Sequence, residues 1–159
     1  MCLKSNNEII EKVTKPVECY KMLCVWGIRE NYWSPNYPKE WVIGERYKEE
    51  RLAIDTEASD GYNRFYAGFH ACLTYEGAVE YMKSCVEATE DIDGVDDILS
   101  EIIIVKCHVP VGASYCIGKT DWCDIDGLVC WEIETNEIVG RFDKDGNVIE
   151  EKKKSNSTI

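Results

Sequence analysis

The stretch from Tyr66 to Met82, followed after an acidic segment by Glu101 to Pro110, constrains this chain more than any other. Gly68-Phe-His-Ala71 predicts a turn and a short strand, and Thr74 stands where an amphipathic helix needs an N-cap. A threonine hydroxyl there accepts from an otherwise unpaired amide of the first turn, and Glu76 suits the positive end of the helix dipole. Ala78, Tyr81, Met82 and Cys85 recur at three- and four-residue steps, which places one apolar stripe on a core. The helix is therefore predicted over about 74–86. Ile102 to Val105 is continuously apolar, the pattern of a strand buried on both faces, and Pro110 closes it.

The 159 residues are enough for one domain with a sizeable core. An apolar fraction of 45% with five Trp and nine Tyr opposes disorder, although 30% of residues are charged. Eighteen Lys and Arg against 30 Asp and Glu leave a net charge of −12. Such a surface repels phosphate polymers and anionic membranes, so neither a nucleic-acid polymer nor a membrane is an expected partner. A small anion needs only a few local cations and stays open as a ligand. The first residues, Met1 to Ser5, lack the apolar core of a secretion signal, and no run reaches transmembrane length. A cytoplasmic location is the expectation, in which the nine cysteines stay mostly unpaired. Their spacing fits no usual zinc loop, and they read as small core residues.

The predicted organisation is a flexible N-terminal segment over 1–15, one globular domain over 16–150 and a flexible tail over 151–159. Val17 to Ile28 is apolar, β-branched and aromatic enough for a first core strand. Pro35 and Pro38 make 31–40 an ordered aromatic loop, after which Trp41 to Lys48 returns as one strand with a bulge at Gly44. The acidic segment from Glu87 to Asp97 is a solvated loop whose spacing misses the calcium-binding register. Val111 to Gly118 and Leu128 to Glu134 read as two further strands. Lys144-Asp-Gly146 is the turn of a C-terminal hairpin, with glycine where a left-handed backbone is needed. The fold class is α+β: a twisted, mostly antiparallel sheet packed against one main helix.

His70, at the handover from strand to helix, is the first site candidate, with Tyr66 entering the same turn. The other is a set of aromatic and basic residues, Tyr32, Trp33, Arg29, Arg46 and Lys48. Aromatic faces stack on bases and guanidinium groups fork onto phosphates, which together make a nucleotide site. The plainer roles are a turn histidine bonded to nearby backbone and an aromatic group pinning a loop. Cys72 lies two residues from His70 without a third group to orient the pair, so a thiolate nucleophile has little behind it. Glu132 and Glu134 share a strand face as a Glu-x-Glu pair, which alternation alone also produces.

The Gly-Phe-His-Ala turn, Thr74, the helix with Ala78 and Tyr81, and the strand from Ile102 into Val109-Pro-Val-Gly-Ala113 resemble small bacterial and bacteriophage proteins without assigned activity. More distantly, residues 66–134 are similar to the second half of ADP-ribosyltransferase-like domains. That resemblance implies that the turn and helix form one wall of a nicotinamide pocket and that Glu132 or Glu134 serves as the catalytic carboxylate. It also implies an Arg or His on the opening strand to hold the dinucleotide, where this chain has Tyr20, Lys21 and, later, Arg29.

Three readings follow. The leading one is a non-enzymatic binding module for a small anionic ligand, a nucleotide, with no cofactor; the bacteriophage resemblance implies sequestration of a host signalling nucleotide, an anti-defence role in the host cytoplasm. The second is an ADP-ribosyltransferase-like enzyme using NAD. The third is an acidic protein that masks a basic partner by charge complementarity. Sheet edges and the aromatic segment leave room for a homo-oligomer.

Overall fold

A computed structural model of the chain describes residues 3–5, 13–26, 32–34, 37–51, 54–55, 61–65, 67–89, 99–120 and 123–152. In chain order the strands are β1 (Leu3–Ser5), β2 (Val17–Trp26), β3 (Tyr32–Ser34), β4 (Tyr37–Trp41), β5 (Arg46–Lys48), β6 (Ile54–Asp55), β7 (Asn63–Phe65) and β8 (Phe69–Cys72). The helix α1 (Tyr75–Thr89) follows, then β9 (Leu99–Val109), β10 (Tyr115–Thr120), β11 (Asp126–Cys130), β12 (Glu132–Asp143) and β13 (Val148–Glu151). They form one sheet in the order β13-β12-β9-β2-β8-β11-β10-β1-β7-β6, with β3 on β2, β4 on β3 and β5 on β12. The class is α+β as predicted, dominated by strand, and every neighbouring pair is antiparallel. Among the described residues no helix is long and apolar enough to cross a membrane.

The continuously apolar run in β9 is explained by its position between β12 and β2. Ile103, Val105, Cys107 and Val109 face one cluster, with Cys19 and Leu23 of β2, Phe69 and Ala71 of β8, and Leu128 and Cys130 of β11. Ile102 and Ile104 face the other, under Ala78, Tyr81 and Met82 of α1. Ile102 to Val105 are at most 1% exposed. Full burial of side chains this size is worth about 1.5–3 kcal/mol each, which makes β2, β9 and α1 the centre of stability. The predicted cap is present, with the Gly77 amide donating to Thr74 Oγ1 at 2.9 Å. The helix runs past its predicted end to Thr89, whose hydroxyl donates to the Cys85 and Val86 carbonyls. The predicted C-terminal hairpin also forms, with Phe142 opposite Val148 and Gly146 at φ 84°.

Four expectations are corrected. Within the N-terminal segment predicted to be flexible, Leu3–Ser5 is a strand between β10 and β7, and Leu3 is fully buried with Phe65, Cys116, Val129 and Trp131. A Cβ at Gly118 would lie 2.3 Å from the Lys4 carbonyl oxygen, so only glycine admits β1 there. The aromatic segment 31–40 contributes β3 and β4, paired as a hairpin, rather than a loop. Pro38 is compatible because β4 pairs with β3 alone, and an edge strand tolerates a missing amide. Trp41 to Lys48 is two pieces, since a turn at Ile43 and Gly44 separates β4 from β5. The strand expected over 128–134 breaks at Trp131. Its amide donates to the Ser114 carbonyl at 3.1 Å and its indole to the Arg51 carbonyl at 2.9 Å. The chain thereby passes from β11 in one half of the sheet to β12 in the other, and the two halves close over a shared core.

Gly68 sets the entry to β8. Its φ is 97°, and a Cβ would meet Val129 Cγ2 at 2.7 Å and the Cys130 carbonyl oxygen at 3.1 Å. Backbone strain of this kind costs about 1–3 kcal/mol. Gly68→Ala is expected to lower the stability read from urea unfolding by at least that amount, and an unchanged midpoint would show that the turn relaxes without cost.

Candidate functional site

β2 and β8 share one register pair, Tyr20 opposite Cys72, and then part. β2 goes on to take β3 at Cys24 and Val25, while β8 continues along β11. Lys21 stands at the parting. Its Nζ donates to the His70 carbonyl oxygen at 2.8 Å and lies 5.0 Å from the centre of the Trp41 ring. His70 is two residues from Cys72, so its carbonyl is directed to the same edge of β8 and would otherwise face the gap left by β2. The lysine therefore bridges two strands where their ladder stops.

The surroundings of that ammonium are unusual. Cys107, Cys130, Cys19 and Cys72 lie near it, and among the described residues no carboxylate reaches it. Burial pushes its pKa below the usual lysine range, an effect that the nearby sulfurs oppose. The residue as a whole is only half-buried, so solvent still meets part of a side chain whose charged end is enclosed. Trp41, which covers it, is 2% exposed and fixed by its indole N–H to Ser34 Oγ at 2.6 Å and by edge contacts to Tyr47 and Phe69.

Two further side chains share this face. Lys21, Leu23 and Val25 alternate on β2, Tyr32 is opposite Val25, and Leu23, Ile103 and Arg141 lie in one cross-strand row. Arg141 donates to Glu101 Oε1 at 2.9 Å and hydrogen-bonds with Tyr32, whose side chain is half-buried. Lys21, Tyr32 and Arg141 are thus presented on one side of the sheet. Trp33, the next residue of β3, alternates to the other side.

His70 is bonded to nearby backbone. Its Nε2 is 3.2 Å from the Phe65 carbonyl oxygen, so that nitrogen carries the proton and donates. Burial, and after it the Lys21 charge, drives its pKa down to about 3, and the ring is neutral at physiological pH. Arg46 and Lys48 stand directly opposite Glu134 and Glu132, and Arg46 makes an ion pair with Glu132 at 3.3 Å. Glu134 lies 3.5 Å from His108 Nε2. The basic pair expected to hold an anion and the glutamates expected to act in catalysis are therefore set against each other on one strand pair. No hydrogen bond or ion pair joins His70 to Glu132 or Glu134. Arg29 and Tyr66 lie outside the described residues, as does most of the acidic segment.

Eight cysteines are free among the described residues. Burial raises the thiols of Cys24, Cys72 and Cys107 to about 12 and pushes Cys19 and Cys130 up as well, which makes them poor nucleophiles. Among the described residues no cluster of three or more His, Cys, Asp or Glu is arranged to hold a metal. Lys21 belongs to no recognisable motif in the sequence. The available signal was a single cation between Cys19 and Leu23 on the inward alternation of an apolar strand.

No family model, curated protein sequence or solved structure matches the chain.

His70 makes stability depend on pH. In the unfolded chain it takes a proton near 6.5 and in the folded chain near 3, so its contribution is complete above about 6.5 and is lost as pH falls toward 3. The limiting slope is about 1.4 kcal/mol per pH unit. Urea midpoints at pH 7.5 and 5 are expected to fall further for the wild type than for His70→Gln, whose amide donates without titrating; parallel losses would mean that His70 is exposed in solution.

Proposed function

We propose that the protein is a non-enzymatic binding module for a small anionic ligand of the nucleotide class. The single observation that carries this reading is the Lys21 ammonium, enclosed between β2 and β8 without a carboxylate partner among the described residues. An enclosed charge is costly unless it is paired or neutralised. A phosphate entering beside Lys21 would supply the missing partner and favour the protonated amine. Tyr32 and Arg141 are presented on the same side of the sheet, but Leu23 and Ile103 between them and Lys21 are fully buried, so the contact this reading requires is the phosphate on Lys21.

Lys21 also occupies the opening strand, where the resemblance to ADP-ribosyltransferase-like domains calls for a dinucleotide-holding Arg or His. This shifts the anion anchor from Arg46 and Lys48, whose neighbours are glutamates, to a residue without one. The likeness to small bacteriophage proteins supports a sequestering role in which a host signalling nucleotide is held and not consumed. The transferase reading has less behind it: the carboxylates it requires, Glu132 and Glu134, are engaged by Arg46 and His108.

The test is a thermal-shift screen of reduced protein against NAD, ADP-ribose and linear and cyclic mono- and dinucleotides. At a hundred times its dissociation constant a ligand adds about 2.7 kcal/mol to the folded state, which for a domain of this size is a rise of about 5 °C or more. One nucleotide is expected to give that rise and to be recovered chemically intact, whereas Lys21→Met is expected to stay folded and give none. The absence of a shift with every nucleotide, or equal shifts in wild type and Lys21→Met, would overturn the proposal.

A further inference from the structure

At the end of the sheet β13 pairs with β12 alone, and all four of its residues are exposed. Val148 and Ile149 are each 59% exposed, the highest values among the large apolar side chains of the described residues. The register slips between Arg141 and Phe142, which leaves Ile149 with no residue opposite it on β12. A bulge of this kind re-aims the side chains around it. Farther along, the Lys152 amide donates inward to the Val139 carbonyl at 3.0 Å. By strand alternation the amide and carbonyl of Glu151 are then directed out of the sheet.

Charge identifies what suits this edge. From Asp143 to Glu151 the chain carries Asp143, Asp145, Glu150 and Glu151 against Lys144 alone. Lys152 is neutralised by an ion pair with Glu137. Glu151 is held on the helix side by the Tyr75 hydroxyl, which donates to it at 2.8 Å, while the Glu150 side chain, 72% exposed, pairs loosely with Arg141 Nε at 3.8 Å. A second copy of this chain would bring the same carboxylates together and is disfavoured by repulsion.

We propose that β13 is a docking edge for an extended basic segment of a partner protein, added as a further antiparallel strand. Its backbone would pair with the outward groups of β13, its aliphatic residues would cover Val148 and Ile149, and its lysines or arginines would meet Glu150 and the adjoining acids. This surface lies apart from Lys21 and shares only Arg141, the neighbour of Glu150, with that face.

The probe is a fluorescein-labelled ten-residue peptide alternating lysine and valine, with a control of equal charge whose central valines are prolines. By fluorescence anisotropy at low salt, the alternating peptide is expected to bind at least tenfold more tightly than the control. The Val148→Ser/Ile149→Ser and Glu150→Lys proteins are expected to lose at least tenfold each with circular dichroism unchanged. Equal binding of the two peptides, or wild-type affinity in Val148→Ser/Ile149→Ser, would show charge attraction without strand addition and overturn the proposal. So would a dimer in sedimentation that those two serines dissociate, because the edge would then belong to a second copy.

Discussion

The parting of β2 and β8 after their single register pair, Tyr20 and Cys72, is the constraint on which the arrangement of the sheet depends, and the hydrogen bond from Lys21 Nζ to the His70 carbonyl oxygen answers it. The two halves of the sheet can close over one core only if β8 turns away from β2 after Tyr20 and Cys72. That turn removes a strand partner from β8 and would leave a backbone carbonyl unsatisfied, at a cost of about 1–3 kcal/mol. A lysine on β2 satisfies it from the side. Enclosing a full charge is the larger penalty, several kcal/mol even after relaxation. Burial accordingly pushes the Lys21 pKa below the usual lysine range.

The same closure explains why the expected site residues were redistributed. Trp41 caps Lys21 because β4 folds back on β3, and that position leaves it nearly fully buried, unable to stack on a ligand. Breaking the chain at Trp131 starts β12 at Glu132, beside β5, so that Glu132 and Glu134 meet Lys48 and Arg46. Opposite charges placed directly across a strand pair favour each other by about 0.2–1 kcal/mol, a small stabilisation but enough to occupy groups that sequence alone offers as free. Among the described residues of the inner face, Lys21 is left without a carboxylate partner.

Local chemistry was legible in the sequence wherever one residue type has one common use. Thr74 before an apolar stripe meant a capped helix, and Lys144-Asp-Gly146 meant a hairpin. The apolar run in β9 meant a central strand. The features that escaped depend on distant partners. Leu3 is a strand residue only because Gly118 lets a backbone approach, and Pro38 is tolerated only because β4 is an edge. Trp131 ends a strand because Ser114 and Arg51, remote in sequence, take its two N–H groups. Lys21 is the sharpest case. Alternation places it on the inner face, but its role follows from the parting of β2 and β8, which no local pattern encodes.

The measurement that bears most directly on this account is the ionisation of Lys21 in the folded protein, followed by NMR of labelled lysine side chains across the alkaline range. The account predicts that Lys21 loses its proton at a pH clearly below that of the exposed lysines, and that a bound nucleotide moves its titration upward. Titration of Lys21 together with the surface lysines, unchanged by any nucleotide, would contradict it.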